Sequence, residues 1–225
     1  LGALVGCGAD RRALSELARS LGLEGVSVKF EKVRRAGLSA TKAVVEAEER
    51  EVERRYPEVL AIVERAPLSR GAKARAKRVL RRLAEAEAKV HGIKVREVHL
   101  HELGAADTIV DICLSCEAFE MVAGRGARVL ASPINLGSGF VRMRHGLYPV
   151  PAPAVAEILK GAPVYSKGPG RELCTPTGAA LLLEFVQGFG LLPPMVVEAV
   201  GYGAGEADFE DFPNVLRVFV GSEWG

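Results

Sequence analysis

Histidine and cysteine are rare in this chain, at four each in 225 residues, and aromatic residues make up only 6%. Four cysteines without regular spacing in a chain this long exclude a disulfide framework. No apolar run is long enough to cross a bilayer, and Leu1-Gly2-Ala3-Leu4-Val5 reads as the middle of an apolar element rather than as a signal peptide. An excess of one charge is also missing. The 30 basic and 28 acidic side chains leave a net charge of +2, so no overall field draws the chain to nucleic acid or to an anionic membrane. Any anionic ligand must therefore be held locally. There is no P-loop, no dinucleotide fingerprint, no internal repeat and no heptad pattern. These absences predict a reduced, cytoplasmic protein without membrane or nucleic-acid partners, and they leave its oligomeric state open.

What is present suits one large core, since 48% of the residues are hydrophobic. Asp10 precedes the helical spacing Leu14, Leu17, Ala18, Leu21. Val26, Val28 and Phe30 alternate with Ser27 and Lys29, and a second β-branched run follows Gly37, which predicts two strands joined by a basic turn holding Lys32, Arg34 and Arg35. A helix is predicted from Pro57, and Ser69 is placed to cap a longer one with the stripe Ala72, Ala76, Val79, Leu80, Leu83, Val90. That helix has a basic face, but its interspersed glutamates favour a solvated surface over nucleic-acid binding. Val129 to Ile134 reads as a strand, Pro153 to Leu159 and Ala179 to Val186 as helices, and Val215 to Val220 as a last strand. Gly201-Tyr202-Gly203-Ala204-Gly205 reads as a mobile or tightly turned loop. Strands and helices do not alternate strictly, so the expected fold class is α+β, a mixed β-sheet with flanking helices in one compact domain.

The densest chemistry lies between Glu97 and Asp111, where two of the four histidines and four carboxylates fall within fifteen residues. If Val98 and Leu100 face a core from an extended segment, the period of two puts Glu97, His99 and His101 together on the opposite side. Gly104 permits a turn. Asp107 then stands where an N-cap is wanted, with Asp111 one helical turn further on. Imidazole and carboxylate donors gathered in this way suit a divalent first-row metal, with Glu102 a further candidate ligand. The alternative is an ordinary helix cap beside two surface histidines. The helix itself is apolar nearly all round and therefore buried, and its pair Cys113 and Cys116 falls within the apolar stripe, as small hydrophobes do.

Several places could hold an anion. Gly137-Ser138-Gly139 leads to Arg142 and Arg144 on one side of a strand, with His145 at the following bend; a tight hairpin would explain the glycines equally well. Thr175-Pro176-Thr177-Gly178 is a well-formed helix start with N–H groups to offer, as every good helix start has. Lys32 and Arg35 offer a third possibility.

Taken in order, His99-Leu100-His101-Glu102-Leu103-Gly104-Ala105-Ala106-Asp107, Leu136-Gly137-Ser138-Gly139-Phe140, His145-Gly146, Pro149-Val150-Pro151-Ala152-Pro153, Thr175-Pro176-Thr177-Gly178 and Gly201-Tyr202-Gly203-Ala204-Gly205 resemble the LarC nickel-insertion family. The likeness runs from about Lys32 to Val220. It implies a nickel chelatase, a lyase that places Ni2+ into pyridinium-3,5-bisthiocarboxylic acid mononucleotide, giving the nickel-pincer nucleotide cofactor of lactate racemase-type enzymes. By that resemblance the complete protein uses CTP with a divalent metal. Two departures are visible. The histidine-rich loop common in the family is replaced by Glu48 to Arg55, which has no histidine. The family's acidic, glycine-rich opening and its C-terminal region have no counterpart here, so the chain is expected to be the N-terminal part of the complete protein. A nickel-delivery or scaffold protein whose chemistry lies in that C-terminal region is the alternative.

Overall fold

The computed structural model describes residues 1–48, 54–100, 104–124, 126–143 and 146–225. It opens with a short helix α1 (Gly2–Gly6), followed by α2 (Arg11–Arg19), whose N-cap Asp10 accepts from the Arg12 and Ala13 amides at 2.8 and 3.1 Å. A hairpin of β1 (Ser27–Arg35) and β2 (Leu38–Glu46) comes next. Lys32, Arg34 and Arg35, expected at its turn, belong to the strand instead. Only Ala36 and Gly37 turn the chain, both at positive φ, which keeps the two strands paired to their ends.

The two-residue strand β3 (Arg54–Arg55) leads into α3 (Tyr56–Arg65), with Pro57 in its first turn, and then α4 (Arg70–His91), capped by Ser69 through the Ala72 amide at 3.3 Å. Ala72, Ala76, Val79, Leu80 and Leu83 of α4 are fully buried. Val90, placed on the same stripe by sequence, is 38% exposed, because it lies at the end of the helix beyond the elements that cover the stripe. A single 3-10 turn, Val95–Glu97, precedes β4 (His99–Leu100), which pairs antiparallel with β3.

Helix α5 (Ala106–Val122) is the centre of the molecule. Ile109, Val110, Ile112, Cys113, Leu114, Cys116 and Ala118 have no exposed surface, as expected for a helix apolar on all sides. The segment read as one strand, Val129 to Ile134, is two: β5 (Leu130–Ala131) and β6 (Ile134–Asn135). Pro133 has no amide to donate, so the ladder breaks there, and the Ile134 amide turns to the Pro163 carbonyl at 2.9 Å. Strands β7 (Phe140–Met143) and β8 (Gly146–Pro149) form a hairpin, followed by α6 (Pro153–Ile158), β9 (Val164–Tyr165), α7 (Pro176–Phe185) and β10 (Gly188–Phe189).

The chain closes with β11 (Met195–Ala204) and β12 (Val215–Glu223). The main sheet is ordered β1-β2-β11-β12, with β2 and β11 parallel and the outer pairs antiparallel. It is mixed, as the α+β reading requires, and helices α1, α2 and α5 contact it. Gly201 to Ala204, expected as a loop, lies inside β11. The glycines there serve packing. A Cβ on Gly203 would stand 2.5 Å from the Ala3 nitrogen, and one on Gly201 would meet the Ala3 carbonyl and stand 2.7 Å from Cys7 Sγ. Glycine on the strand thus lets α1 lie directly on the sheet.

Candidate functional site

Val98 and Leu100 are each 1% exposed and His99 between them is exposed, so the period of two holds across these three residues. Glu97, expected on the same face, belongs to the 3-10 turn, so the extended run begins after it. The segment is fixed by pairing of His99 with Arg55 and of Leu100 with Arg54, and by the Tyr56 amide donating to the Val98 carbonyl at 3.2 Å. Gly104 makes the turn by necessity. A Cβ there would collide with the Leu100 carbonyl and stand 3.2 Å from the Arg54 nitrogen. Arg54 also donates to the Gly104 carbonyl at 2.8 Å, which locks the turn to β3. His101 and Glu102 lie outside the described residues.

Helix α5 starts two residues earlier than expected, with Ala105 as its N-cap. Asp107 is therefore in the first turn rather than the cap. Its carboxylate accepts from the neighbouring Thr108 amide at 2.6 Å and is otherwise directed to the surface, where the helix dipole favours negative charge. Asp111, one turn on, sits deeper. Burial pushes its carboxyl above the ordinary value of 3.8, and the charge of Asp107 adds to it. A buried carboxyl of this kind ionises readily once a cation is beside it. Among the described residues, to which His101 and Glu102 do not belong, no three His, Cys, Asp or Glu side chains form a metal-sized cluster.

The anion candidates fare unequally. Arg35 is buried and engaged: it donates to the Gly205 carbonyl at 3.0 and 3.3 Å and to the Arg34 carbonyl at 2.9 Å, and lies 3.5 Å from Asp208. Lys32 donates to the Thr41 hydroxyl, at 3.1 Å. Ser138 donates through its hydroxyl to the Pro169 carbonyl at 3.0 Å and through its amide to Arg171 at 3.2 Å, and the Gly137 amide goes to Asn135. The glycine-rich segment is thus closed on its own neighbours and offers no cradle at those two amides. Arg142 projects from the β7–β8 hairpin and is exposed, while Arg144 and His145 lie outside the described residues. Thr175 caps α7 through the Gly178 amide at 3.3 Å, with Thr177 half-buried in the first turn.

The family model described as nickel insertion protein matches residues 1–224. The chain belongs to the nickel insertion protein family. A Geobacter sulfurreducens relative named for nickel insertion is 50% identical over 196 residues, or 87% of this chain and 50% of that protein. Proteins named pyridinium-3,5-bisthiocarboxylic acid mononucleotide nickel insertion protein are similar over almost the whole chain. That of Geobacillus kaustophilus is 41% identical over 99% of this chain and 56% of its own length, and that of Nocardioides sp. 43% identical over 98% and 56%. The chain spans about half the length of the curated relatives it matches. No solved structure matches it.

Other features of this nickel insertion family member stay outside the candidate site. Cys113 and Cys116 are buried free thiols. Burial raises both, Cys113 to about 12, so neither is a ready metal ligand. Part of the basic face of α4 is paired, Arg75 with Glu120 and Glu184 and Arg78 with Glu184, at 2.6–3.4 Å. A cleft of about 840 Å³ between α2 and β1, lined by Arg11, Arg12, Arg19 and Lys29 among others, includes none of the candidate residues. Sequence reasoning missed the role of α1 altogether. The small residues spaced along it, Gly2 and Gly6, matching Gly201 and Gly203 on β11, were the available signal. Among the described residues no helix is long and apolar enough to cross a membrane.

Proposed function

We propose that this chain is the N-terminal part of a nickel chelatase, which takes Ni2+ as its metal substrate and places it in pyridinium-3,5-bisthiocarboxylic acid mononucleotide. The observation that carries this reading is the turn from β4 into α5. An exposed imidazole at His99 stands between two buried apolar residues, Gly104 packs against the Leu100 carbonyl where only glycine fits, and two carboxylates lie in the first two turns of α5. His99 and His101, helped by Glu102, Asp107 or Asp111, would hold the ion through nitrogen and oxygen donors. Sulfur donors of the thiocarboxylates then displace water and protein ligands from it. The substrate's phosphate needs a separate cation or N–H donors, for which Lys32, Arg35, Ser138, Arg142, Arg144, His145, Thr175 and Thr177 are the candidates. CTP, with its own divalent metal, would act through the remainder of the complete protein, and the product is the nickel-pincer nucleotide cofactor.

The coverage of about half of each relative favours a second reading, in which this chain delivers or scaffolds nickel and the remainder does the chemistry. Single-turnover nickel insertion by this chain, with and without the other half and CTP, tests the pair. Binding of both nickel and the organic substrate by this chain supports the chelatase reading. Nickel binding without any affinity for the organic substrate supports delivery alone.

A further inference from the structure

We propose that β12 is the interface for a second copy of this chain: two β12 strands pair antiparallel about a twofold axis at Val220 and join the main sheets of the two copies into one. This does not depend on the chelatase reading.

β12 forms one edge of the four-stranded sheet, and among the described residues no strand pairs with its outer side. The two edges of the sheet are built differently. At the other edge β1 carries Lys29, Glu31, Lys32 and Arg34, and the Ser15 hydroxyl of α2 donates to its Val28 carbonyl at 3.1 Å. Charged side chains and a covering helix are the usual means of keeping an edge strand from pairing. β12 lacks this protection. Its nine residues, Val215–Glu223, hold one charge of each sign and no proline, and the irregularity in its ladder, at Val197–Ala199, belongs to β11. The Cys7 thiol, 2.7 Å from where a Gly201 Cβ would stand, reaches the Val218 carbonyl from above β11, so α1 leaves the outer edge open.

The side chains select one register. In an antiparallel pair of identical strands the axis must pass through a residue position, because an axis between residues would set outward backbone groups of one strand against inward groups of the other. Centring it on Val220 puts Arg217 opposite Glu223, Leu216 opposite Trp224, Val218 opposite Ser222 and Phe219 opposite Gly221, each pair occurring twice by symmetry. Arg217 lies over its own Phe219 ring at 5.0 Å, and among the described residues neither it nor Glu223 has an ion-pair partner. Leu216 and Trp224 are 56% and 73% exposed in the single chain, and this pairing covers each with the other. Gly221 leaves bare backbone for the Phe219 ring of the second copy to cover, as aromatic side chains do across from a strand glycine. Moving the axis to Phe219 sets Arg217 opposite Gly221 and Glu223 opposite Val215; moving it to Gly221 sets Arg217 opposite Gly225 and Glu223 opposite Phe219. Both shifts leave the two charges without partners.

Sedimentation equilibrium over a range of concentrations tests the proposal, on wild type, Arg217→Glu, Glu223→Arg, the double variant carrying both reversals, and Trp224→Ala. Wild type should approach a mass twice the 24.0 kDa of one chain. Each single reversal sets like charges opposite each other at two places in the dimer, and should raise the dissociation constant on the order of tenfold or more. The double variant restores the pair with its signs exchanged and should return close to wild type, which also shows that the reversals leave the fold intact. Trp224→Ala should weaken the dimer as well. A wild type that stays monomeric overturns the proposal, as does a dimer that ignores the single reversals or a double variant no better than either. The same reversals must act in the complete protein; a complete protein whose mass does not respond to them has β12 covered by its own remainder, which also overturns the proposal.

Discussion

Gly203 has no room for a methyl group, since α1 lies against it. Gly203→Ala and Gly201→Ala should each destabilise the chain by about 1–3 kcal/mol, the usual cost of forcing extra volume into a packed contact. Denaturant titration that gave wild-type midpoints would show that α1 does not rest on the sheet. Asp111 makes the second prediction at this scale. Burial raises its carboxyl, so the folded chain binds that proton more tightly than the unfolded chain does. Stability should then fall as pH rises from the ordinary carboxyl value of 3.8 through the raised one, and the deficit should persist at neutral pH. Asp111→Asn removes that part of the slope. Equilibrium unfolding across the acid range checks it, and identical pH profiles for the two proteins would count against a buried carboxyl. The sequence suggested that α5 is buried, because the helix is apolar nearly all round, and Asp111 on it is half-buried. The sequence could not show that the glycines at 201 and 203 lie in a strand, because glycine marks close approach and turning with the same letter.

Helices were the most legible elements. The period of α4 and the lack of any polar side on α5 are properties of the sequence alone, and burial follows from them. Element ends were less so. Asp107 looks like an N-cap because aspartate suits both the cap and the first turn, and only the backbone shows that Ala105 occupies the cap. The strand broken at Pro133 was readable in principle from its missing amide. The core role of α5 gives a third prediction. Cys113 and Cys116 should resist alkylation in the folded chain and react only on unfolding, since burial both covers them and suppresses the thiolate. Rapid labelling of either under native conditions would contradict the packing of this helix. At α4, Leu83→Ala should cost about 2–5 kcal/mol, as for other fully buried leucines, measured by the same denaturant titration.

At the scale of the molecule, one hydrophobic core runs from Ala9 through Ala180 and joins the helices to the main sheet. The order β1-β2-β11-β12 pairs Thr41 with Gly203, residues far apart in the chain, and no local pattern announces it. This long-range pairing is also what brings the start of α1 against both β2 and β11. The spacing of the residues from Glu97 to Asp111 is a local property of the sequence, whereas the elements around them depend on topology. In the proposed function nickel is bound where β4 turns into α5. Calorimetric titration of Ni2+ into wild type and into the His99→Ala, His101→Ala double variant tests it most directly. The claim predicts that the variant keeps its fold and loses at least tenfold in nickel affinity; equal binding by the two proteins would make these histidines structural and contradict it.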